Sequence, residues 1–215
     1  MQIVTYRCNT GEENMAIDAQ LLEDAIKNKL TEPVFRLYGW KPACVSLGRN
    51  QKEDFINFDL LKKLNIDVVR RLTGGRALLH DNEITYSFVC PTTYLKNGEH
   101  VVSSYKEISQ ILINKFKKLG IELNFGTSKA IKTKFDYCML LSTGADLCHN
   151  NKKLIGSAQC RKHGYILQHG SILYDYDREL LEKIFNEPID TNSITTIKEI
   201  NPNLTKTDII KALCD

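Results

Sequence analysis

The chain lacks most features that assign a protein to a class at sight. No stretch approaches the roughly 20 apolar residues needed to span a bilayer, so no membrane partner is expected. The start, Met1-Gln-Ile-Val-Thr-Tyr-Arg, has no apolar core and no small-residue cleavage site, so no secretory signal is read there. Neither charge sign dominates: 29 basic against 26 acidic residues, a net +3, give no footprint for nucleic acid. There are no internal repeats and no low-complexity linker. None of the seven cysteines forms a C-x-x-C pair, and an odd number without a signal peptide reads as reduced thiols in the cytoplasm. Neither G-x-x-x-x-G-K nor G-x-G-x-x-G occurs, which excludes the P-loop and the dinucleotide fingerprint.

What is present suits one globular domain. A chain of 215 residues, 42% hydrophobic, can bury about 70% of its unfolded surface without disulfide staples. Gln2 to Arg7 reads as a strand. Asn14 reads as an N-cap, followed at helical spacing by Met15, Ile17, Leu21, Leu22, Ala25 and Ile26. Strands are expected at Val34–Tyr38, Cys44–Leu47, Asp67–Leu72, Ala77–Leu79 and Ile84–Val89. A short helix is expected at Phe58–Leu64 and a long one at Val102–Leu119, ended by Gly120. Lys129 to Phe135 reads as a loop. Further strands are expected at Ala145–His149, Leu154–Ala158 and Tyr165–Leu173, the first two joined by an Asn150-Asn151 hairpin. Helices at Arg178–Phe185 and Thr205–Leu213 follow, the latter with Thr205 as cap and Asp208 as its acid. Strands outnumber helices without regular alternation, which predicts an α+β fold.

Several residues could carry chemistry. Gly74-Gly75 follows a strand and is flanked by Arg70, Arg71 and Arg76; paired glycines let backbone N–H groups approach a ligand, although a plain hairpin turn fits equally. Cys148, His149, Cys160 and His163 match no zinc spacing, so no metal site is expected. Most of the cysteines read as small buried hydrophobes. Cys138 differs because it follows Lys129, Lys132 and Lys134, and nearby cations favour a thiolate. His169, inside a strand, is either a satisfied core group or a base. Lys153, just after a hairpin turn, is either solvated or functional.

Together these segments resemble the lipoate/octanoate transferase and ligase superfamily, which also holds the biotin protein ligases. The resemblance runs from Asn14-Met-Ala-Ile-Asp18 through Phe35-Arg-Leu-Tyr-Gly-Trp40 and Ser46-Leu-Gly-Arg-Asn-Gln51. Its most specific stretch is Arg70-Arg-Leu-Thr-Gly-Gly-Arg-Ala-Leu-Leu-His-Asp81, followed by Glu83-Ile-Thr-Tyr-Ser87. Lys153-Leu-Ile-Gly-Ser-Ala-Gln159 and His169-Gly-Ser-Ile-Leu173 complete it. The resemblance implies an α+β catalytic domain like those of class II aminoacyl-tRNA synthetases and biotin ligases, a mixed sheet flanked by helices. Residues 1–215 would form one such domain without an accessory domain. It also implies an acyl site drawn from Arg70, Arg71, Thr73, Gly74, Gly75, Arg76, His80, Gly156, Ser157, Ala158, His169 and Gly170, with Lys153 at the acyl carbonyl.

Three activities share these motifs. Ligases activate a free acid with ATP and magnesium; octanoyltransferases draw octanoate from acyl carrier protein through a cysteine thioester; amidotransferases move the acyl group between two proteins. The Gly-Gly-Arg-Ala form, with Arg76 where ligases show a third glycine, resembles one octanoyltransferase branch. That branch sets its cysteine eight residues before an acidic one, as Cys138 stands before Asp146. The run Cys138-Met-Leu-Leu-Ser-Thr-Gly-Ala-Asp146 lacks the branch's usual phenylalanine, proline and serine. The expectation is therefore a cytoplasmic octanoyltransferase without cofactor. Cys138 and Lys153 would be its catalytic residues, acyl carrier protein its donor, and a lipoyl domain or glycine-cleavage H protein its acceptor. An ATP-dependent lipoate ligase and a non-catalytic acyl-binding paralogue remain as alternatives.

Overall fold

The computed structural model describes residues 1–126, 137–140 and 143–215. In chain order the elements are β1 (Gln2–Asn9), α1 (Gly11–Lys27), β2 (Val34–Trp40), β3 (Cys44–Leu47), α2 (Phe58–Lys63), β4 (Asp67–Arg70), β5 (Leu78–His80), β6 (Glu83–Pro91) and α3 (Val101–Lys118). They continue with β7 (Asn124–Phe125), β8 (Leu147–His149), β9 (Lys152–Lys162), β10 (Tyr165–Leu173), α4 (Arg178–Phe185), α5 (Ile197–Ile200) and α6 (Lys206–Cys214). Seven strands form one sheet in the order β1-β2-β6-β10-β9-β8-β7, and three form a second in the order β4-β3-β5. Among the described strands β1–β2 and β3–β4 pair in parallel and the others antiparallel, so the sheets are mixed, as expected for α+β.

Most predicted elements are present, with shifts that have physical causes. The cap of α1 is Thr10, not Asn14: Thr10 and Glu13 form a reciprocal capping box, which satisfies two otherwise orphaned N–H groups. Asn14 lies one turn inside and fully buried, donating to the Gly39 carbonyl at 3.0 Å. The strand expected to reach Leu72 ends at Arg70, because Arg71 turns inward and Leu72 is exposed. Ala145–His149 shrinks to Leu147–His149, whereas Leu154–Ala158 grows into the eleven-residue β9. Asn150 and Asn151 both take left-handed conformations (φ 49° and 64°), the geometry that lets a two-residue turn match strand twist. The loop expected at Lys129–Phe135 lies outside the described residues. β7, α5 and the 3-10 turns at Thr92–Tyr94 and Cys138–Leu140 are too short to show a periodic pattern.

The site owes its position to how α1 and the small sheet meet the large one. α1 packs against β2, β6, β10 and β4. The two sheets share a core containing Phe35, Leu37, Val45, Leu79 and Ile84. Along one face of the large sheet the aligned residues are small or polar: Gly156 faces Ser171, which faces Thr85. Among the described residues no helix is long and apolar enough to cross a membrane.

Candidate active site

That face, the small sheet and α1 border a partly open pocket whose empty space, its open mouth included, is about 450 Å³. Gly156, Ala158, Gly170 and Ser171 line it from β9 and β10, Tyr38 and Trp40 from β2, and Ser46, Leu78 and His80 from the small sheet. Arg71, Gly75, Arg76 and Cys138 complete the wall.

Cys138 sits on a 3-10 turn anchored by its own N–H, which donates to the Ala77 carbonyl at 2.8 Å. Lys153 is 1% exposed. Its backbone is held by Ser193 and Thr195 at 2.9 and 3.0 Å. Its Nζ donates to the Cys138 carbonyl at 3.0 Å and lies 3.9 Å from Cys138 Sγ. Asp146, also buried, pairs with Nζ at 3.2 Å. The same carboxylate oxygen accepts the Thr143 N–H at 2.6 Å and its hydroxyl at 3.0 Å. Burial alone would pull the Lys153 pKa down, but the negative charges of a Cys138 thiolate and of Asp146 outweigh it and hold it above its ordinary value.

The glycine loop is clamped from two sides. Arg71, buried, donates to the Ser46 carbonyl and hydroxyl at 2.7 and 2.6 Å and to the carbonyls of Gly74 and Arg76 at 3.2 and 2.9 Å. Burial lowers its pKa from a value so high that it stays charged. Thr73 reaches the other way, its hydroxyl 2.8 Å from His169 Nε2. His169 Nδ1 faces Asp18 at 3.1 Å, and Asp18 also receives Arg36 at 2.7 Å, Tyr38 at 2.9 Å and Ser87 at 2.9 Å. Burial would raise the Asp18 pKa, yet these donors together hold it below the usual carboxylate range. Gly48 lets the loop dock, since a Cβ there would fall 1.9 Å from the Gly75 carbonyl oxygen.

A third group of polar side chains is self-satisfied. His80 stacks on Trp40 with ring centroids 4.0 Å apart. Its Nε2 lies 2.6 Å from the Ser46 hydroxyl and its Nδ1 3.4 Å from Glu83. Burial lowers the His80 pKa despite Glu83, so the ring is neutral at pH 7. Glu83 also accepts from Thr85 at 2.8 Å and Ser171 at 2.6 Å.

Of the fourteen residues singled out from sequence, ten line this cavity: Cys138, Arg71, Gly75, Arg76, His80, Gly156, Ser157, Ala158, His169 and Gly170. Lys153 lies against Cys138, and Thr73 stands behind His169. Gly74 is exposed and does not line the cavity. Arg70 points away, pinning the adjoining loop through the Gly48 and Gln51 carbonyls at 2.9 and 2.7 Å. Among the described residues no group of three or more His, Cys, Asp or Glu is placed to hold a metal. Sequence reading assigned no role to Asp18, Ser46, Glu83 or Asp146. Asp18 did leave a trace: it shares a helical face with Leu22 and Ala25, which is unusual for an acid without a buried partner.

The fold is found in solved proteins. The structure superposes on lipoate-protein ligase A bound with ATP at a TM-score of 0.78 with 20% identity, covering 99% of this chain and 81% of that one. A bi-partite lipoate protein ligase from Thermoplasma acidophilum gives 0.73 at 19% identity, covering 100% and 82%. The fold is therefore that of the lipoate-protein ligases. The sequence model described as Lipoyl protein ligase A/B catalytic domain matches residues 10–215, and the chain belongs to this family. Its relatives include Octanoyltransferase LipM of Clostridioides difficile, 41% identical over 187 residues (85% of this chain, 69% of the relative). Octanoyltransferase LipM of Bacillus subtilis is 38% identical over 184 residues (81% and 66%). The chain spans about two thirds of the length of these relatives.

Proposed function

We propose that this chain is a cysteine-dependent octanoyltransferase acting in the cytoplasm. The observation that carries the reading is the 3.9 Å approach of Lys153 Nζ to Cys138 Sγ at the wall of a partly open slot. The Cys138 thiolate attacks the octanoyl thioester of acyl carrier protein, and the carrier leaves as a thiolate that takes a proton. The acyl-cysteine then meets a neutral lysine amine of a lipoyl domain or H protein. An amide forms, the nitrogen loses a proton, and the Cys138 thiolate is regenerated. Lys153 stabilises the oxyanion in both steps, where losing one donor typically costs about 10²–10³ in rate. A thioester is already activated, so ATP is not needed. Several polar groups of the slot are bonded to one another (His80 to Ser46, Thr85 and Ser171 to Glu83), so an alkyl chain entering it does not strand these. Seven carbons beyond the carbonyl, at about 0.8 kcal/mol per buried CH₂, contribute roughly 5 kcal/mol. The relatives named octanoyltransferase support the same reading.

The test is intact mass after incubation with octanoyl-acyl carrier protein without ATP. An octanoyl adduct that disappears in Cys138→Ser supports the transferase. Absence of the adduct, with lipoate-dependent exchange of pyrophosphate into ATP, points instead to a ligase; neither signal points to a binding paralogue.

A further inference from the structure

Once Cys138 carries an acyl group, the thiolate charge that faces Lys153 is gone. The ammonium is then buried with a different set of neighbours. Asp146 lies at 3.2 Å and the Cys138 carbonyl at 3.0 Å. Cys148, from β8, also faces Lys153, and it is a buried thiol. Asp146 itself faces Tyr86 and Tyr105, both neutral phenols whose pKa values burial raises. Arg71, which also faces Cys138, is a cation and cannot hold a proton on Lys153. The Asp146 carboxylate, 3.2 Å from Nζ, keeps its negative charge when Cys138 is acylated. Its Oδ2 is also held by two donors of Thr143.

A buried ammonium that loses a neighbouring counter-charge has its pKa lowered and gives up its proton more readily. A neutral Lys153 cannot stabilise an oxyanion by charge. Resting on the transferase reading above, we infer that Asp146 is a positioning residue: it keeps Lys153 a fixed cation through the acyl-enzyme state, so that Lys153 serves as an electrostatic donor and not as the proton acceptor. No proton is exchanged by Lys153 in either half-reaction. The amide nitrogen's proton goes to solvent, and the departing carrier thiolate takes one from it.

The two halves of the reaction therefore depend differently on Asp146. Attack on the carrier thioester starts with a thiolate beside Lys153, which helps to hold its charge. Attack on the acyl-cysteine starts without it. Loss of Asp146 is expected to expose a titration of Lys153 in the second half alone.

The experiment isolates that half. The octanoyl adduct on Cys138 is formed with octanoyl-acyl carrier protein and its loss to hydroxylamine, a nucleophile neutral across the range, is followed by intact mass from about pH 7 to about pH 10. In Asp146→Asn the rate is expected to fall about tenfold or more toward the alkaline end, through the depressed pKa of a buried lysine, while the wild type shows no such limb. In Asp146→Asn/Lys153→Arg the limb is expected to vanish, because guanidinium does not titrate there. Asp146→Glu keeps the charge and is expected to slow the step without an alkaline limb, which also serves if Asp146→Asn does not fold. A profile for Asp146→Asn parallel to the wild type, or an alkaline limb in Asp146→Glu, overturns the inference. Failure of the wild type to acquire the adduct at all overturns the transferase reading instead, so the two failures are distinct.

Discussion

At the scale of single residues, burial acts in opposite directions on groups that look alike in sequence. Cys44 and Cys90 are buried, and burial pushes both thiols up to about 12. Cys138 is only half-buried and has a lysine ammonium 3.9 Å away. A thiolate is the reactive form, so brief iodoacetamide treatment near neutral pH should label Cys138 while Cys44 and Cys90 stay unmodified until the protein unfolds. Peptide mass mapping reads the order of labelling; labelling of Cys44 ahead of Cys138 would contradict it. Asp18 gives a pH prediction. Its native pKa lies below the unfolded value of about 3.9, because its donors outweigh burial. Its stabilisation is therefore complete above that value and is lost as pH falls through the native pKa. Urea midpoints should drop steeply below about pH 4 in the wild type. Asp18→Asn leaves Arg36 buried without its counter-charge and should lose about 3–5 kcal/mol at neutral pH, with a shallower acid dependence.

At the scale of elements, the sequence pattern and the contacts that position the site can be separated. Helix α6 was readable from Thr205 and Asp208 alone, and both halves of its capping box are present. Helix α1 was readable in its body but not in its cap, because Asn14 and Thr10 are both good N-cap residues and only burial distinguishes them. Thr10→Ala should cost about 1 kcal/mol, seen as a lower urea midpoint with little change in acyl transfer, since the cap is exposed and outside the cavity. Gly48→Ala makes the contrasting case. Its Cβ would overlap the Gly75 carbonyl, so the glycine loop must move off the small sheet. Acyl transfer should fall at least about tenfold, as misplacement of about 1 Å near reacting groups can cost 10²-fold. Equal activity in Gly48→Ala would show that the loop's docking does not matter to the reaction.

At the scale of the whole molecule, the slot exists because two sheets and a helix meet over a floor of small residues. An acyl ligand filling it binds only the folded state. Octanoic acid at about 100 times its Kd should add about 2.7 kcal/mol. For a chain of this length that raises Tm by about 5–10 °C, at roughly 2–4 °C per kcal/mol. Ala158→Leu projects into the same slot from β9 and should abolish the shift without abolishing folding; a thermal scan with and without octanoate measures both. An unchanged shift in Ala158→Leu would place the acyl chain elsewhere.

The local pattern of the sequence by itself determined the kinds of elements and much of their order. Alternation, turn residues and caps are short-range signals, and they sufficed for β3, β10 and α4, whose limits match the expected ones. The linked motifs marked most of the cavity wall, from Arg71 to Gly170. The tertiary structure alone decided which of these residues meet. Lys153 reaches Cys138 and Asp146 because β9 and the turn before β8 pack together, and a buried charge is tolerable only where its partners converge. Arg70 and Arg71 are neighbours in sequence yet face opposite ways, one to solvent and one into the cavity. Asp18 and His169 are 151 residues apart and become one network only when α1 lies across β10. Convergence of this kind depends on long-range packing, and no local spacing records it.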